Sequence, residues 1–203
     1  MRVSIIGIGA IGGTIAKKLS KGGYKVSIAN SKGKSAVEKF ASEIGAEPRD
    51  ISTISKDAEV LILSIPFGAI PKLSKDIFQN LPNNALVIDT TNYYPEIRKE
   101  DFDESKPESV WVSEQIGRKV IKTFNSILAH SLQNFGKNKG ENNRLAIQVA
   151  GDDEEQKKIK EKSKQTSESV KENRKKIFGN FAELTGGDYS HENIIKINRK
   201  YNI

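Results

Sequence analysis

Three glycines near the start of the chain, Gly7, Gly9 and Gly12, stand in the order G-x-G-x-x-G directly after an apolar strand signal at Val3, Ile5 and Ile6. A helical pattern follows at once. That spacing suits the binding of a dinucleotide pyrophosphate: Gly7 for the tight turn out of the strand, Gly9 for close backbone approach to the phosphates, Gly12 for close packing of helix on strand. The phosphates would lie on the free N–H groups at the start of the helix near Ala10, where the helix dipole favours negative charge. Glycine-rich turns can also serve backbone geometry alone; the strand-turn-helix context favours the nucleotide.

The second strand bears on which nucleotide. Tyr24 to Ala29 reads as a strand and runs into Asn30, Ser31, Lys32, Gly33 and Lys34, about twenty residues past the glycines, where an NAD site usually carries an acidic residue for the ribose diol. No acidic residue stands there. Asn30 and Ser31 can hydrogen-bond a 2′-phosphate and Lys32 or Lys34 can neutralise it, so NADP(H) is the expected cofactor. The same letters also suit a solvated turn; their position favours the phosphate.

Further candidates lie where later apolar strands end, because ligands of open α/β sheets bind beyond the carboxyl ends of the strands. Ser64, Ile65, Pro66 and Phe67 follow the run VLIL, and Pro66 prevents the strand from continuing. A plain strand terminus would look the same. Asp89 to Pro95 (DTTNYYP) places Thr91 and Asn92 where they could orient a nicotinamide amide or a substrate carbonyl, with Tyr93 and Tyr94 as a ring-stacking wall. Asn125 follows another strand. An Asx-type turn with a Pro stop would use these residue types too. Trp111 is expected to pack rather than to carry substrate. His130 and His191 are far apart and suggest neither a metal site nor an oriented catalytic pair. With no acid–base grouping in view, direct hydride transfer, in which the cofactor carries the chemistry, is the expected reaction, with no catalytic side chain and no metal.

The elements that must position these residues alternate. Strands are expected at Val3–Ile6, Tyr24–Ala29, near Ala46, within 59–67, at Ala85–Asp89, Val120–Phe124 and Arg144–Val149. Helices are expected after the glycines, over Ser35–Ile44, through Asp57 and over 68–80. Strands alternating with helices require crossovers, so the fold class is α/β, Rossmann-type and doubly wound, a mostly parallel sheet with helices on both faces. Residues 1–151 are expected to form the nucleotide-binding domain. Residues 152–203 form a charged, atypical segment: between Asp152 and Lys176 only Ile159 and Val170 are large and apolar, as in an exposed helical extension or a partly disordered tract. A second apolar cluster, Ile177 to Leu184, suits a short helix ending at Gly186-Gly187.

Composition narrows the classes. The chain has 203 residues, enough for a sizeable core, and no cysteine, which removes disulfides and thiolate chemistry. A net charge of +7 is spread among alternating acidic and basic residues rather than in a basic run with aromatics, which argues against nucleic acid and for attraction of an anionic cofactor. No run is apolar enough to span a bilayer and no signal-peptide pattern opens the chain, so a cytoplasmic location is expected. The expected partner is a small-molecule electron acceptor, with neither nucleic acid nor membrane, and a homodimer is compatible with this picture.

Taken in order, GIGAIGGTIAKKL, ANSKG, VLILSIPFGAIPKL, VIDTTNYYP and SEQIGRKVIKTFNSI resemble the NADP oxidoreductases that use the deazaflavin coenzyme F-420. The resemblance extends over roughly residues 1–151 and closes with LAIQVAGDD. It implies a Rossmann-type domain with NADP(H) across the strand ends and a flat deazaflavin or flavin as second substrate stacked on the nicotinamide. It further implies that Gly7, Gly9, Ala10, Ile11 and Gly12 meet the pyrophosphate and that Asn30, Ser31 and Lys32 meet the 2′-phosphate. Ser64, Ile65, Pro66 and Phe67 would border the cofactor, and Asn92 and Asn125 would lie near the nicotinamide. Lys32 stands where the family pattern has arginine, keeping charge and losing the planar fork. The tract beyond Gly151 departs from the pattern, which keeps a non-catalytic NADP(H)-sensing or partner-regulating module as the alternative to an oxidoreductase.

Overall fold

Every expected strand up to residue 125 is present in the computed structural model, which describes residues 1–94, 102, 105–137, 141–142, 144–151 and 187–188. The chain divides into two units, Met1–Asn125 and Ser126–Ile203. The first contains β1 (Arg2–Ile6), α1 (Ala10–Lys21), β2 (Lys25–Ala29), α2 (Ser35–Ile44), β3 (Glu47–Pro48) and β4 (Val60–Leu63). A 3-10 turn (Phe67–Lys72), α3 (Lys75–Gln79), β5 (Leu86–Asp89), α4 (Glu108–Ile116) and β6 (Val120–Thr123) complete it.

These six strands lie in the order β3-β2-β1-β4-β5-β6 and pair in parallel throughout. The fold is an α/β, Rossmann-type doubly wound sheet. Period-two alternation sends Ile6, Ala29, Leu61, Leu63, Val87 and Val120 to one face, where they pack with Phe67, Ile70, Ile77, Trp111 and Val112. The intervening residues Val3, Ile5, Val26, Ile28, Val60, Ile62 and Ile88 turn to the opposite face and are also buried, as are Ile15, Ala16 and Leu19 of α1 and Val37 and Ala41 of α2. Burial on both faces explains why the strands read as continuous apolar runs.

Two expected helices differ. The span 68–80 is not one helix: Pro71 has no N–H to donate, so Phe67–Lys72 winds as a 3-10 turn, and Ser74 caps a new helix by accepting the Asp76 N–H at 3.3 Å. The polar stretch through Asp57 forms successive turns. Ala58 N bonds to Ser55 O at 3.2 Å, and the Ile54 carbonyl, which an α-helix would pair with Ala58, accepts the Ser4 hydroxyl at 2.7 Å.

The second unit contains α5 (Ala129–Asn134), β7 (Leu145–Ala146), β8 (Val149–Ala150) and β9 (Gly187–Asp188), with β7 and β9 pairing in parallel. The strand expected over Arg144–Val149 is thus two short strands interrupted at Ile147 and Gln148. Gly187, expected to end a helix, lies in a strand; the Ile177–Leu184 helix, Pro95, His191 and the charged tract 152–176 fall outside the described residues. No helix among the described residues is long and apolar enough to cross a membrane.

Candidate functional site

Strand register brings the candidate residues to one edge. Ala29, Ile6, Leu63, Asp89 and Lys122 form a row of paired residues across β2, β1, β4, β5 and β6. Asn30, Gly7, Ser64 and Thr90 therefore leave the sheet side by side. Strand order reverses between β1 and β4, since β2 lies on one side and β5 on the other; that is where doubly wound sheets open a crevice.

A cleft of about 360 Å³ occupies this place, lined by Gly9, Ala10 and Ile11 after β1, by Ser64 to Phe67 after β4, and by Thr90, Thr91, Asn92 and Tyr94 after β5. The glycines divide the work differently from one another. Gly7 has φ +96°, and a Cβ there would stand 2.2 Å from the Ser64 carbonyl oxygen. A Cβ on Gly12 would stand 2.1 Å from the Gly7 carbonyl oxygen and 2.9 Å from Ser64 Cβ. Both positions lie behind the cleft and let β1, α1 and the end of β4 touch. Of the three, Gly9 alone faces open space: a Cβ there would meet nothing within 4 Å.

Gly9 is also the N-cap of α1, with no side-chain cap bond and no acidic residue in the first turn. The first amides of the 12-residue helix thus remain available to an anion.

The β5 loop is held by charge. Asp89 is fully buried and its Oδ1 accepts the Thr91 N–H at 2.9 Å. Lys122, reaching from β6, donates to Asp89 Oδ2 at 3.1 Å and to the Thr91 carbonyl at 2.8 Å. Its ammonium also lies 2.7 Å from Glu108 Oε2 at the start of α4. Glu108 Oε1 in turn accepts the Tyr93 N–H at 3.3 Å. Buried charges need such pairing. Thr91 Oγ1, on the wall of the cleft, is buried and has no hydrogen-bond partner among the described residues.

Asn92 is oriented from two sides. Its Nδ2 donates to the Asn125 carbonyl at 2.7 Å and to Tyr94 Oη at 3.0 Å, which leaves Oδ1 as the acceptor for anything in the cleft. Asn125 is presented by Phe124, a buried residue with φ +62°. A left-handed aromatic costs about 1–3 kcal/mol, so the turn is maintained by its surroundings.

The aromatics are placed differently from the expectation. Phe67 borders the cleft, but its ring is buried and stacks on Trp111 at 4.4 Å and 18°. Tyr93 packs against Phe67 and Phe102 at 5.5 and 4.8 Å. Of the expected tyrosine wall only Tyr94 reaches the cleft, and Trp111 packs in the core as expected. His130 makes an edge contact with Phe135.

Asn30, Ser31, Lys32 and Lys34 lie outside this cleft, past β2. Asn30 Oδ1 accepts the Lys32 N–H at 2.9 Å, an Asx turn that fixes the loop beside the glycine turn, where Gly7 N bonds to Ala29 O at 2.9 Å. Lys34 borders a second cleft of about 320 Å³ with Glu47, Arg49 and Asp50, and its N–H donates to Asp50 Oδ1. Arg49 bonds both Asp57 and Glu47 there. These hydrogen bonds hold both carboxyls below their usual pKa and raise that of the guanidinium. Sequence reasoning passed over Arg49, Glu108 and Lys122. For Asp89 and Lys122 one signal existed: each is the single charge of its strand, the two being of opposite sign.

Among solved structures, a hypothetical protein, SMa0349, from Sinorhizobium meliloti matches with TM-score 0.64 at 22% identity, over 89% of this chain and 81% of that one. A candidate F420-dependent NADP reductase from Arthrobacter sp. FB24 matches with TM-score 0.62 at 16% identity, over 84% and 80%. An imine reductase variant from Myxococcus stipitatus, in complex with NAD+, matches with TM-score 0.54 at 16% identity, over 78% of this chain and 50% of that one. At these identities the likeness is one of fold. No curated protein matches the chain by sequence. Residues 2–93, which contain the glycine turn, the β2 loop and the Ser64–Phe67 and Thr90–Asn92 walls of the cleft, match the model of one family, the NADP oxidoreductases, coenzyme F420-dependent.

Proposed function

We propose that the protein binds NADP(H) across the carboxyl ends of β2, β1, β4 and β5 and exchanges hydride with a flat acceptor, a deazaflavin or a flavin. The observation that carries the proposal is the cleft at the strand-order reversal, with an uncapped helix N-terminus on one wall and the Ser64–Phe67 and Thr90–Tyr94 loops on the other. The residues fit such a ligand: Gly9 leaves room for a pyrophosphate and the α1 amides are free to bind it. Asn30, Ser31 and Lys32 offer donors and a cation to a 2′-phosphate.

The nicotinamide supplies the hydride when bound. This chain's own residues bind and orient. Asn92, with Nδ2 held by Asn125 and Tyr94, presents Oδ1 as an acceptor to a carboxamide N–H. Ser64, Ile65 and Pro66 form the facing wall. Among the described residues lining the cleft Tyr94 is the single ionisable side chain, which suits a transfer that depends on proximity rather than on an acid–base group.

The test is titration of the full chain with NADPH, followed by oxidation of NADPH in the presence of a deazaflavin, FMN or FAD. Binding with turnover of one acceptor is expected. Absence of NADPH binding overturns the whole proposal. Tight binding with no turnover by any acceptor overturns hydride transfer and favours a sensing module.

A further inference from the structure

Lys122 is not among the residues lining the cleft, yet three backbone groups of the β5 loop, the Thr91 N–H, the Thr91 carbonyl and the Tyr93 N–H, lead back to it. Its side chain is only 12% exposed. It is bonded to Asp89, whose other oxygen holds the Thr91 N–H, and to the Thr91 carbonyl itself; it is ion-paired to Glu108, whose other oxygen holds the Tyr93 N–H. Thr91, Asn92 and Tyr94 of that loop line the cleft.

We propose that Lys122 is a positioning residue, whose ammonium clamps residues 89–94 between β6 and α4 and so sets the wall that meets the nicotinamide end of the cofactor. The inference rests on the proposed cofactor orientation. The chemistry is specific to an ammonium. Removing it leaves the carboxylates of Asp89 and Glu108 without their shared counter-charge, and a fully buried Asp89 cannot be solvated in compensation. The loop must then shift so that a carboxylate reaches water. The glycine turn and the β2 loop, which receive the other half of the dinucleotide, make none of these bonds.

That asymmetry gives the test. In the full chain, Lys122→Met is compared with the parent for binding of NADPH and of adenosine 2′,5′-bisphosphate, which keeps the adenosine phosphates and lacks the nicotinamide. NADPH affinity should fall about tenfold or more, the equivalent of about 1.4 kcal/mol, while bisphosphate affinity stays within about twofold. Equal losses for both ligands would assign Lys122 a general structural role, and no loss for either would remove it from the site; both outcomes overturn the proposal. Hydrogen exchange on the ligand-free protein reads the clamp directly. The Thr91 and Tyr93 amides should exchange faster in Lys122→Met while those of β1 and β4 do not, and unchanged or uniformly faster exchange overturns the proposal. If Lys122→Met does not fold, Glu108→Gln, which retains the Asp89–Lys122 bond, is taken through the same two measurements. A parent chain that binds no NADPH refutes the proposed function instead, and exchange at Thr91 and Tyr93 still decides the role of Lys122.

Discussion

Gly9 and Gly12 are three residues apart in one motif, yet an added methyl group should act on them in opposite ways. At Gly12 a Cβ would lie 2.1 Å from the Gly7 carbonyl oxygen and 2.9 Å from Ser64 Cβ, so backbone rather than a flexible side-chain tip must give way. Overpacking of this kind costs about 1–3 kcal/mol and more where backbone must move. Alanine gains back about 1 kcal/mol of helix propensity inside α1. Net destabilisation of Gly12→Ala should be about 2 kcal/mol, which lowers Tm by roughly 4–8 °C in a chain of this size. At Gly9 the Cβ meets nothing within 4 Å and φ is −66°, which any residue adopts. Gly9→Ala should therefore stay within about 0.5 kcal/mol of the parent, and Gly9→Val should also remain folded. Both should lose NADPH affinity, the valine variant entirely, because the side chain would stand where the proposed site admits the pyrophosphate. Thermal denaturation and titration calorimetry on the same preparations provide the comparison. A Gly12→Ala variant as stable as the parent, or a folded Gly9→Val variant with undiminished affinity, would refute the reasoning.

Lys32→Asp should lower NADPH affinity by about one to two orders of magnitude, the worth of a charge-assisted hydrogen bond, and leave NADH affinity nearly unchanged; equal affinities for the two cofactors in the parent would rule out a 2′-phosphate site at Asn30–Lys32. Arg49 should confer a pH-dependent stability. It lowers the pKa of Asp57 and Glu47 in the folded state, so its contribution is present above the unfolded carboxylate values and is lost as pH falls through the lower folded ones. The Tm difference between parent and Arg49→Gln should accordingly be largest near neutrality, shrink below about pH 4 and diminish with salt, since these carboxylates are partly exposed. A difference that persists unchanged to about pH 3 would show that packing, not charge, is what Arg49 contributes.

Much of the first unit is legible from sequence because its signals are local. The apolar runs at Val3–Ile6, Val60–Leu63 and Leu86–Asp89 are buried on both faces, and a strand in that setting has no polar side to blur its reading. Gly45 ends α2 in the left-handed conformation, as a glycine at that point predicts. The glycine motif announced its strand-turn-helix. Local signals failed where a neighbour in space outweighed them: the turns before Ala58 are stabilised in part by a hydroxyl from β1, and Pro71 and Ser74 together divided a span whose apolar spacing suited a single helix.

The candidate site follows the same division. Sequence alone determined that a strand-turn-helix with three glycines opens the chain, that no carboxylate follows β2, and that polar loops leave β4 and β5. Each is a property of a few adjacent residues. Only the tertiary structure decided that Gly9 faces a cleft while Gly7 and Gly12 face Ser64, that Phe67 belongs to the core with Tyr93 packed against it, and that Asp89, Glu108 and Lys122 form one charged clamp. Those outcomes depend on strand register, which pairs Leu63 with Asp89, and Asp89 with a lysine 33 residues further along the chain. Contact between parallel strands requires a crossover whose length and path no local pattern encodes, so the partner of a buried charge is fixed only when the sheet assembles.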